Sequence, residues 1–214
     1  MQVCVIIPHT KCYWHALLSP PSTRHQPPEL SLALHIPHIQ EEAGRGGPMC
    51  VAFIVRDGLS GCPLIIAYNR DEMLDRPAAP PQWWPDGGVD GIYAGRDLKA
   101  GGTWFGVTRR GRFAFLTNFR ERLGQPVKTS RGSLVSGFLA ASADAGVGGP
   151  LDYCRSLEPQ DFAGFNLVVG DAASGSLVHA SNRGDAQPHT IEESVSGEIA
   201  AASSWALFPT SSSN

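Results

Sequence analysis

The sequence predicts an α+β fold with antiparallel strand pairing. The 24 glycines and 17 prolines among its 214 residues indicate many turns, which favours a β-rich body over a helical one. Apolar, β-branched runs come in pairs around short turns, as the strands of hairpins do. Two segments with helical spacing stand between the second and the third pair, and this order of strands and helices is typical of α+β domains.

Three hairpins are predicted, each from two apolar runs joined by a turn that contains glycine: residues 50–68, 101–118 and 165–181. Between the first two hairpins, residues 73–85 carry four prolines and two tryptophans. This composition predicts an ordered, extended loop, because the aromatic side chains favour burial.

Two helices are predicted between the second and third hairpins. The first covers residues 130–140, with Ser130 placed to cap it and an apolar face formed by Leu134, Val135, Phe138 and Leu139. The second covers residues 150–157, where proline is tolerated in the first turn.

The two ends of the chain differ in composition from residues 49–186, which we interpret as the folded domain. Residues 1–48 contain seven of the prolines and five of the seven histidines, and they show no sustained period. They are expected to be a disordered extension or an artefact of start-codon choice. The strand pattern fades over residues 187–214, which predicts an irregular and truncated tail.

The composition excludes several classes of protein. The net charge is −3 and no long basic stripe is present, which argues against nucleic-acid binding. No apolar run reaches the length of about 18 residues that a transmembrane segment needs. Five widely spaced cysteines without a CxxC pair argue against a disulfide framework or a zinc site and favour a reducing compartment. No cofactor is predicted, and the oligomeric state is left open.

Polar side chains follow the second strand of the first hairpin, and a cysteine begins the first strand. Pairing of the two strands predicts that Cys50 meets four consecutive residues at one edge of a sheet: Asn69, Arg70, Asp71 and Glu72. An apolar core does not need four polar groups in a row, so this pattern indicates catalysis or ligand binding. The alternative is that Cys50 is a small core residue and that the charges form a structural ion pair.

Cys50 follows a methionine, which suggests one way to activate its thiol. If translation begins at Met49 and that methionine is removed, the α-amine of Cys50 serves as the base for its own thiol. Arg70 would then lower the pKa of the thiol or hold a carboxylate, and Asp71 would orient the amine. Asn118 or Asn166, at strand ends, would donate to an oxyanion. With residues 1–48 attached, this mechanism fails.

Ordered motifs are spread over residues 49–183. They are Met49-Cys50 and residues 67–72, 76–77, 94–97, 101–107, 116–120, 130–132, 164–171 and 181–183. Together these motifs resemble the NRDE family. Residues 1–48 have no counterpart, and residues 201–205 stand where the family has a Gly-Leu-Ser-Asn segment followed by Asp-x-Pro-Trp.

The resemblance implies a fold similar to that of N-terminal-nucleophile hydrolases, a four-layer αββα sandwich of antiparallel sheets, here incomplete at its carboxyl end. It also implies a cytoplasmic protein associated with the mitochondrion or the Golgi. Its expected roles are in Golgi and secretory organisation and in the handling of haem, lipids or acyl-coenzyme A. Cys50, Arg70 and Asp71 match the catalytic set of Cys-type amidases of that fold, and Asn118 and Asn166 match it less closely.

Three functions remain open from the sequence. The first is binding of a lipid-like or haem-like small molecule, with five further contact residues: Asn69, Glu72, Arg96, Asp97 and Trp104. The second is hydrolysis of a small amide with Cys50 as the nucleophile, so whether the protein is an enzyme is left undecided. The third is a truncated gene product without activity.

Overall fold

The computed structural model describes residues 3–6, 50–59, 62–119, 128–141, 148–183, 188–190, 199–202 and 207–210. The strands are β1 (Val3–Ile6), β2 (Val51–Leu59), β3 (Cys62–Asn69), β4 (Ala78–Trp83), β5 (Ile92–Asp97), β6 (Phe105–Thr108), β7 (Arg112–Asn118), β8 (Phe165–Asp171), β9 (Ser176–Ser181), β10 (His189–Thr190), β11 (Ile199–Ala202) and β12 (Leu207–Thr210). The helices are α1 (Gly132–Ala140), α2 (Pro150–Arg155) and a 3₁₀ turn (Pro159–Asp161).

The strands form two sheets. One has five strands in the order β1-β3-β2-β11-β12, and the other has seven in the order β10-β9-β8-β7-β6-β5-β4. All neighbouring pairs are antiparallel except β1 with β3. The three predicted hairpins are present as β2–β3, β6–β7 and β8–β9. The prediction of an α+β fold built mostly from antiparallel sheets is therefore confirmed.

The seven-stranded sheet is buried on both faces, as the side chains of β7 show. Phe113 and Phe115 pack against the five-stranded sheet in a core that includes Ile54 and Ile66. The alternate side chain of Leu116 packs on the opposite face in the core that contains α1 and α2. Within the part of the chain that the structure describes, both α-helices lie on this one face. The four-layer sandwich implied by the resemblance stays a prediction.

Two local predictions are wrong. Residues 73–85 were expected to form a loop, but Ala78–Trp83 is the edge strand β4. Its two prolines are tolerated because an edge strand leaves one side of its backbone unpaired, and the register shifts between Ala79 and Gln82. Helix α1 is not capped by Ser130: its N-cap is Arg131, which makes no side-chain capping bond.

Most of residues 1–48 and 187–214 lie outside the described residues. Within the parts that are described, β1 pairs in parallel with β3, and β11 lies between β2 and β12. The predicted domain boundaries stay predictions. None of the described helices has the length and apolar character needed to cross a bilayer.

Candidate functional site

An open cleft lies where β2 begins, β3 and β7 end, and α1 begins. Its empty volume is about 530 Å³, including its open mouth. It is lined by Cys50, Arg70, Asp71, Glu72, Arg76, Asp97, Thr103, Trp104, Leu116, Asn118, Ser130, Arg131 and Gly132. Three arginines and three acidic residues thus face one small space beside a thiol.

The first hairpin brings the thiol and the polar residues together. Val51 pairs with Asn69, so Cys50 immediately precedes β2 at the edge where Arg70 immediately follows β3. Tyr68 anchors this edge: its hydroxyl donates to the carbonyl of Leu116 at 2.7 Å, and its ring stacks on Phe105 at 5.8 Å. The two sheets are therefore joined directly beside the cleft.

Cys50 is a protonated thiol in this environment. It is only 4% exposed, and burial raises the pKa of its thiol above the ordinary value. Its Sγ donates to the carbonyl of Asp71 at 3.6 Å, a contact that only the protonated form makes. Cys50 would need a base to become a nucleophile at neutral pH.

Arg70 presents its guanidinium to the cleft. Its Cζ lies 4.2 Å from the centre of the Trp104 ring, and the nearest carboxylate oxygen of Glu72 is 4.0 Å from Nη2. That distance exceeds a hydrogen bond. Among the described residues, the Arg70 guanidinium makes an aromatic contact and a long ion pair but no hydrogen bond. Its five N–H donors are oriented by stacking and remain available for a ligand.

A second arginine, Arg76, is instead paired with an aspartate at the mouth of the cleft. Its Nε and Nη2 donate to Asp97 Oδ2 at 3.0 and 2.6 Å. The other oxygen of Asp97 accepts from the backbone N–H groups of Lys99 and Ala100. Burial alone would raise the pKa of Asp97, but these hydrogen bonds outweigh it and hold the pKa below its usual range. The pair ties the turn after β3 to the turn after β5.

The amino-terminal end of α1 reaches the cleft through a contact between two glycines. A Cβ atom on Gly102 would lie 2.5 Å from the carbonyl carbon of Gly132. That distance is too short for any residue with a side chain at position 102. The backbone N–H of Thr103 donates to the carbonyl of Gly132 at 3.3 Å. Because both residues are glycine, Ser130 and Arg131 can lie on the cleft wall.

A family model described as Transport and Golgi organisation 2 matches residues 49–211. The chain belongs to this family. The resemblance to NRDE proteins seen in the sequence is thereby confirmed. The match extends beyond residue 186 and includes β11 and β12.

Three curated relatives of the Transport and Golgi organisation 2 family are similar to this chain. The mouse "Transport and Golgi organization 2 homolog" is 35% identical over 152 residues, and the bovine "Transport and Golgi organization protein 2 homolog" is 35% identical over 153 residues. The human protein of the latter name is 34% identical over 152 residues. Each match covers 65% of this chain and 52% of the relative. The chain thus spans about half the length of the curated relatives it matches.

Most of the predicted site residues of this family member line the cleft. They are Cys50, Arg70, Asp71, Glu72, Asp97, Trp104 and Asn118. Their catalytic or ligand-binding roles stay predictions. In the described residues, no group of three or more histidine, cysteine, aspartate or glutamate side chains is placed to hold a metal ion.

Three predicted site residues lie outside the cleft lining. Asn69 is half-buried at the end of β3. Arg96 donates to Asp86 at 2.8 and 2.9 Å and lies over the ring of Trp84. Asn166 is buried beside His179, whose Nε2 is 3.2 Å from Asn166 Oδ1. The predicted roles of these three residues stay predictions.

The sequence reasoning missed the wall formed by Thr103, Leu116, Ser130, Arg131 and Gly132. Ser130 was predicted only as a helix cap. The signal that could have found them is the pair of motifs Gly-Gly-Thr at 101–103 and Ser-Arg-Gly at 130–132, since small residues allow two backbone segments to approach closely.

Proposed function

We propose that the chain binds a small molecule carrying a carboxylate, phosphate or carbonyl group, held by Arg70 in the cleft. The observation that carries the proposal is the Arg70 guanidinium, stacked on Trp104 and without a hydrogen bond to the residues that the structure describes. Arginine in such a setting matches planar oxygen pairs of carboxylates and phosphates. Lipids, acyl-coenzyme A and haem all carry such groups.

The neighbours of Arg70 support ligand binding rather than a structural ion pair. Arg76 and Asp97 pair with each other at 2.6 Å, whereas the ion pair of Arg70 with the Glu72 carboxylate is long, at 4.0 Å. Trp104 offers a ring that shields one face of the guanidinium from water. An anionic group on the cleft side would complete the hydrogen bonds of Arg70.

The names of the relatives support a proposal for the biological setting, because they concern transport and Golgi organisation. We propose that ligand binding serves Golgi and secretory organisation through the handling of lipids, acyl-coenzyme A or haem. The corresponding location is the cytoplasm, in association with the mitochondrion or the Golgi.

Calorimetric titration with palmitoyl-coenzyme A and with haem tests the proposal. Arg70→Ala should weaken binding by about 10-fold to 100-fold, because a charge-assisted hydrogen bond contributes about 1.5–3 kcal/mol. Arg155→Ala is the matched control, since Arg155 is exposed on α2 and does not line the cleft. Binding that is absent in the wild type, or equally weak in both variants, contradicts the proposal.

A second candidate function is amide hydrolysis by Cys50. The observation that favours it is that Cys50, Arg70, Asp71 and Asn118 line one cleft. In a chain that begins at Cys50, the α-amine would take the thiol proton and the thiolate would attack the amide carbonyl. The resulting ammonium would give the proton to the amine as the C–N bond breaks, and water would then hydrolyse the thioester. The mass of the mature chain shows whether this terminus exists.

Iodoacetamide labelling at neutral pH tests the second candidate in a chain that begins at Cys50. Cys50 should react faster than Cys154, whose pKa is raised to about 12 by burial. Equal rates for Cys50, Cys62 and Cys154 would remove the basis for a nucleophilic role.

A further inference from the structure

Three large apolar side chains project into solvent beside the cleft. Met73 is 60% exposed, Leu74 is 106% exposed and Leu98 is 59% exposed. We name these three residues the apolar rim. Leu74 makes essentially no contact with its own chain, so its side chain contributes nothing to the stability of the fold.

The apolar rim stands on two turns that are fastened to each other. The first is closed by the N–H of Arg76, which donates to the carbonyl of Met73 at 3.0 Å. The second begins at Leu98, whose N–H donates to the carbonyl of Pro77 at 3.0 Å. The hydrogen bonds from Arg76 to Asp97 join the turns a second time. The two turns that carry the three side chains are therefore held next to each other.

The same two turns form part of the cleft. Glu72 directly precedes Met73, Asp97 directly precedes Leu98, and Arg76 closes the first turn, and all three of these charged residues line the cleft. Whatever covers the apolar rim would consequently lie at the opening of the cleft.

We propose that the apolar rim docks on the surface of a zwitterionic lipid bilayer, with the opening of the cleft directed at the membrane. Side chains on turn tips can enter the boundary between headgroups and acyl chains, where contact strength follows the apolar area buried. Three side chains cannot supply the roughly 800 Å² that each partner gives to a standard protein–protein interface. A weak, reversible membrane contact fits the size of the surface better than a second copy of the chain.

The charges of the two turns decide which kind of membrane is expected. Asp75 and Lys99 are both exposed and have opposite charge, while Arg76 and Asp97 neutralise each other. The surface therefore offers no excess of positive charge to anionic lipids. Docking should depend on apolar insertion, and it does not require the ligand proposed for the cleft.

Flotation of the full chain with phosphatidylcholine vesicles tests the inference. The wild type should float with the vesicles to a similar extent at low and high salt. The double variant Met73→Asp with Leu74→Asp should lower the bound fraction about tenfold or more, because two apolar side chains are lost from the contact. Leu74→Phe should retain binding.

Val89→Asp is the matched control for these variants. Val89 is 90% exposed, but it precedes β5 whereas Leu98 follows it, and a six-residue strand spans about 20 Å. This variant should bind vesicles like the wild type. The inference is overturned if the wild type does not float, if Val89→Asp is as impaired as the double variant, or if light scattering shows a dimer that the double variant abolishes.

Discussion

An arginine lies over an aromatic ring at each end of helix α1, but the surroundings of the two arginines differ. Near the amino-terminal end, Arg70 lies 4.2 Å from the Trp104 ring and its side chain is 22% exposed. At the carboxyl-terminal end, Arg112 lies 4.1 Å from the Phe138 ring and is 4% exposed. Arg112 also donates to the carbonyl of Ala141, just after α1.

This difference separates a structural arginine from one that can bind a ligand. Arg112 satisfies a carbonyl at the helix end and fills space between α1 and the seven-stranded sheet. Arg70 has the same aromatic support but leaves its donors directed at an open cleft. Stacking alone therefore does not reveal the role of an arginine; the hydrogen bonds that accompany it do.

The largest expected loss of stability is at the buried arginine, Arg112. Arg112→Ala should lower the free energy of unfolding by about 3 kcal/mol, because the Ala141 carbonyl loses its donor and a void opens beside Phe138. For a chain of this length the melting temperature should fall by about 6–12 °C. Calorimetry or a urea titration measures the change.

Arg109→Ala is the control for Arg112, because Arg109 also stacks on a ring, that of Trp83, but is exposed. We expect a loss of only about 0.5 kcal/mol there. If the two variants lose equal stability, burial and the bond to Ala141 do not distinguish Arg112.

A smaller effect is expected at the contact that brings α1 to the cleft. Gly102→Ala would place a Cβ atom against the backbone of Gly132, so one segment must shift, at an expected loss of about 2 kcal/mol. Ligand binding should weaken in the same variant, because Ser130 and Arg131 move with the helix end. Gly149→Ala, with open space around its Cβ and a negative φ, should leave ligand binding unchanged and cost about 1 kcal/mol or less, because Gly149 is the N-cap of α2.

Part of this site could be predicted from local sequence pattern. Cys50 and Arg70 lie at the same sheet edge because two strands that are neighbours in the sequence, β2 and β3, pair in antiparallel orientation. Such a hairpin can be predicted from local sequence pattern. The contact of Gly102 with Gly132 joins distant segments and depends on how α1 packs, so no local pattern specifies it. The prolines of β4 led to the prediction of a loop. Proline is tolerated in an edge strand, but the sequence alone does not show which strand lies at the edge of the sheet.

The sequence also does not show which charged side chains are paired with each other and which remain available to bind a ligand. Arg70, Arg76 and Arg96 look alike in the sequence, but Arg76 is bound to Asp97 and Arg96 to Asp86. Which arginine is left for a ligand depends on side-chain distances: the Glu72 carboxylate is 4.0 Å from Arg70, whereas the carboxylates paired with Arg76 and Arg96 are at 2.6 and 2.8 Å.

The pair formed by Arg76 and Asp97 predicts how stability depends on pH. Since the pKa of Asp97 is lower in the folded state, its contribution is present above the unfolded value of about 3.9 and is lost as the pH falls through the folded value. Asp97→Asn should lower the free energy of unfolding by about 1 kcal/mol at pH 7 and by progressively less below about pH 4. Urea titrations at several pH values measure the difference, and a difference independent of pH would contradict this interpretation.

The smallest expected change in stability is at Arg70, and it is the one that tests the comparison most directly. Arg70→Ala removes an exposed stacking contact and a long ion pair, which together should contribute about 0.5 kcal/mol or less to the free energy of unfolding. The same variant should lose ligand affinity, whereas Arg70→Lys should retain stability and lose the planar hydrogen-bond geometry. Parallel urea and binding titrations separate the two properties. A loss of stability as large as that of Arg112→Ala would show that Arg70 is a structural arginine as well, and the argument for a ligand at this end of α1 would then fail.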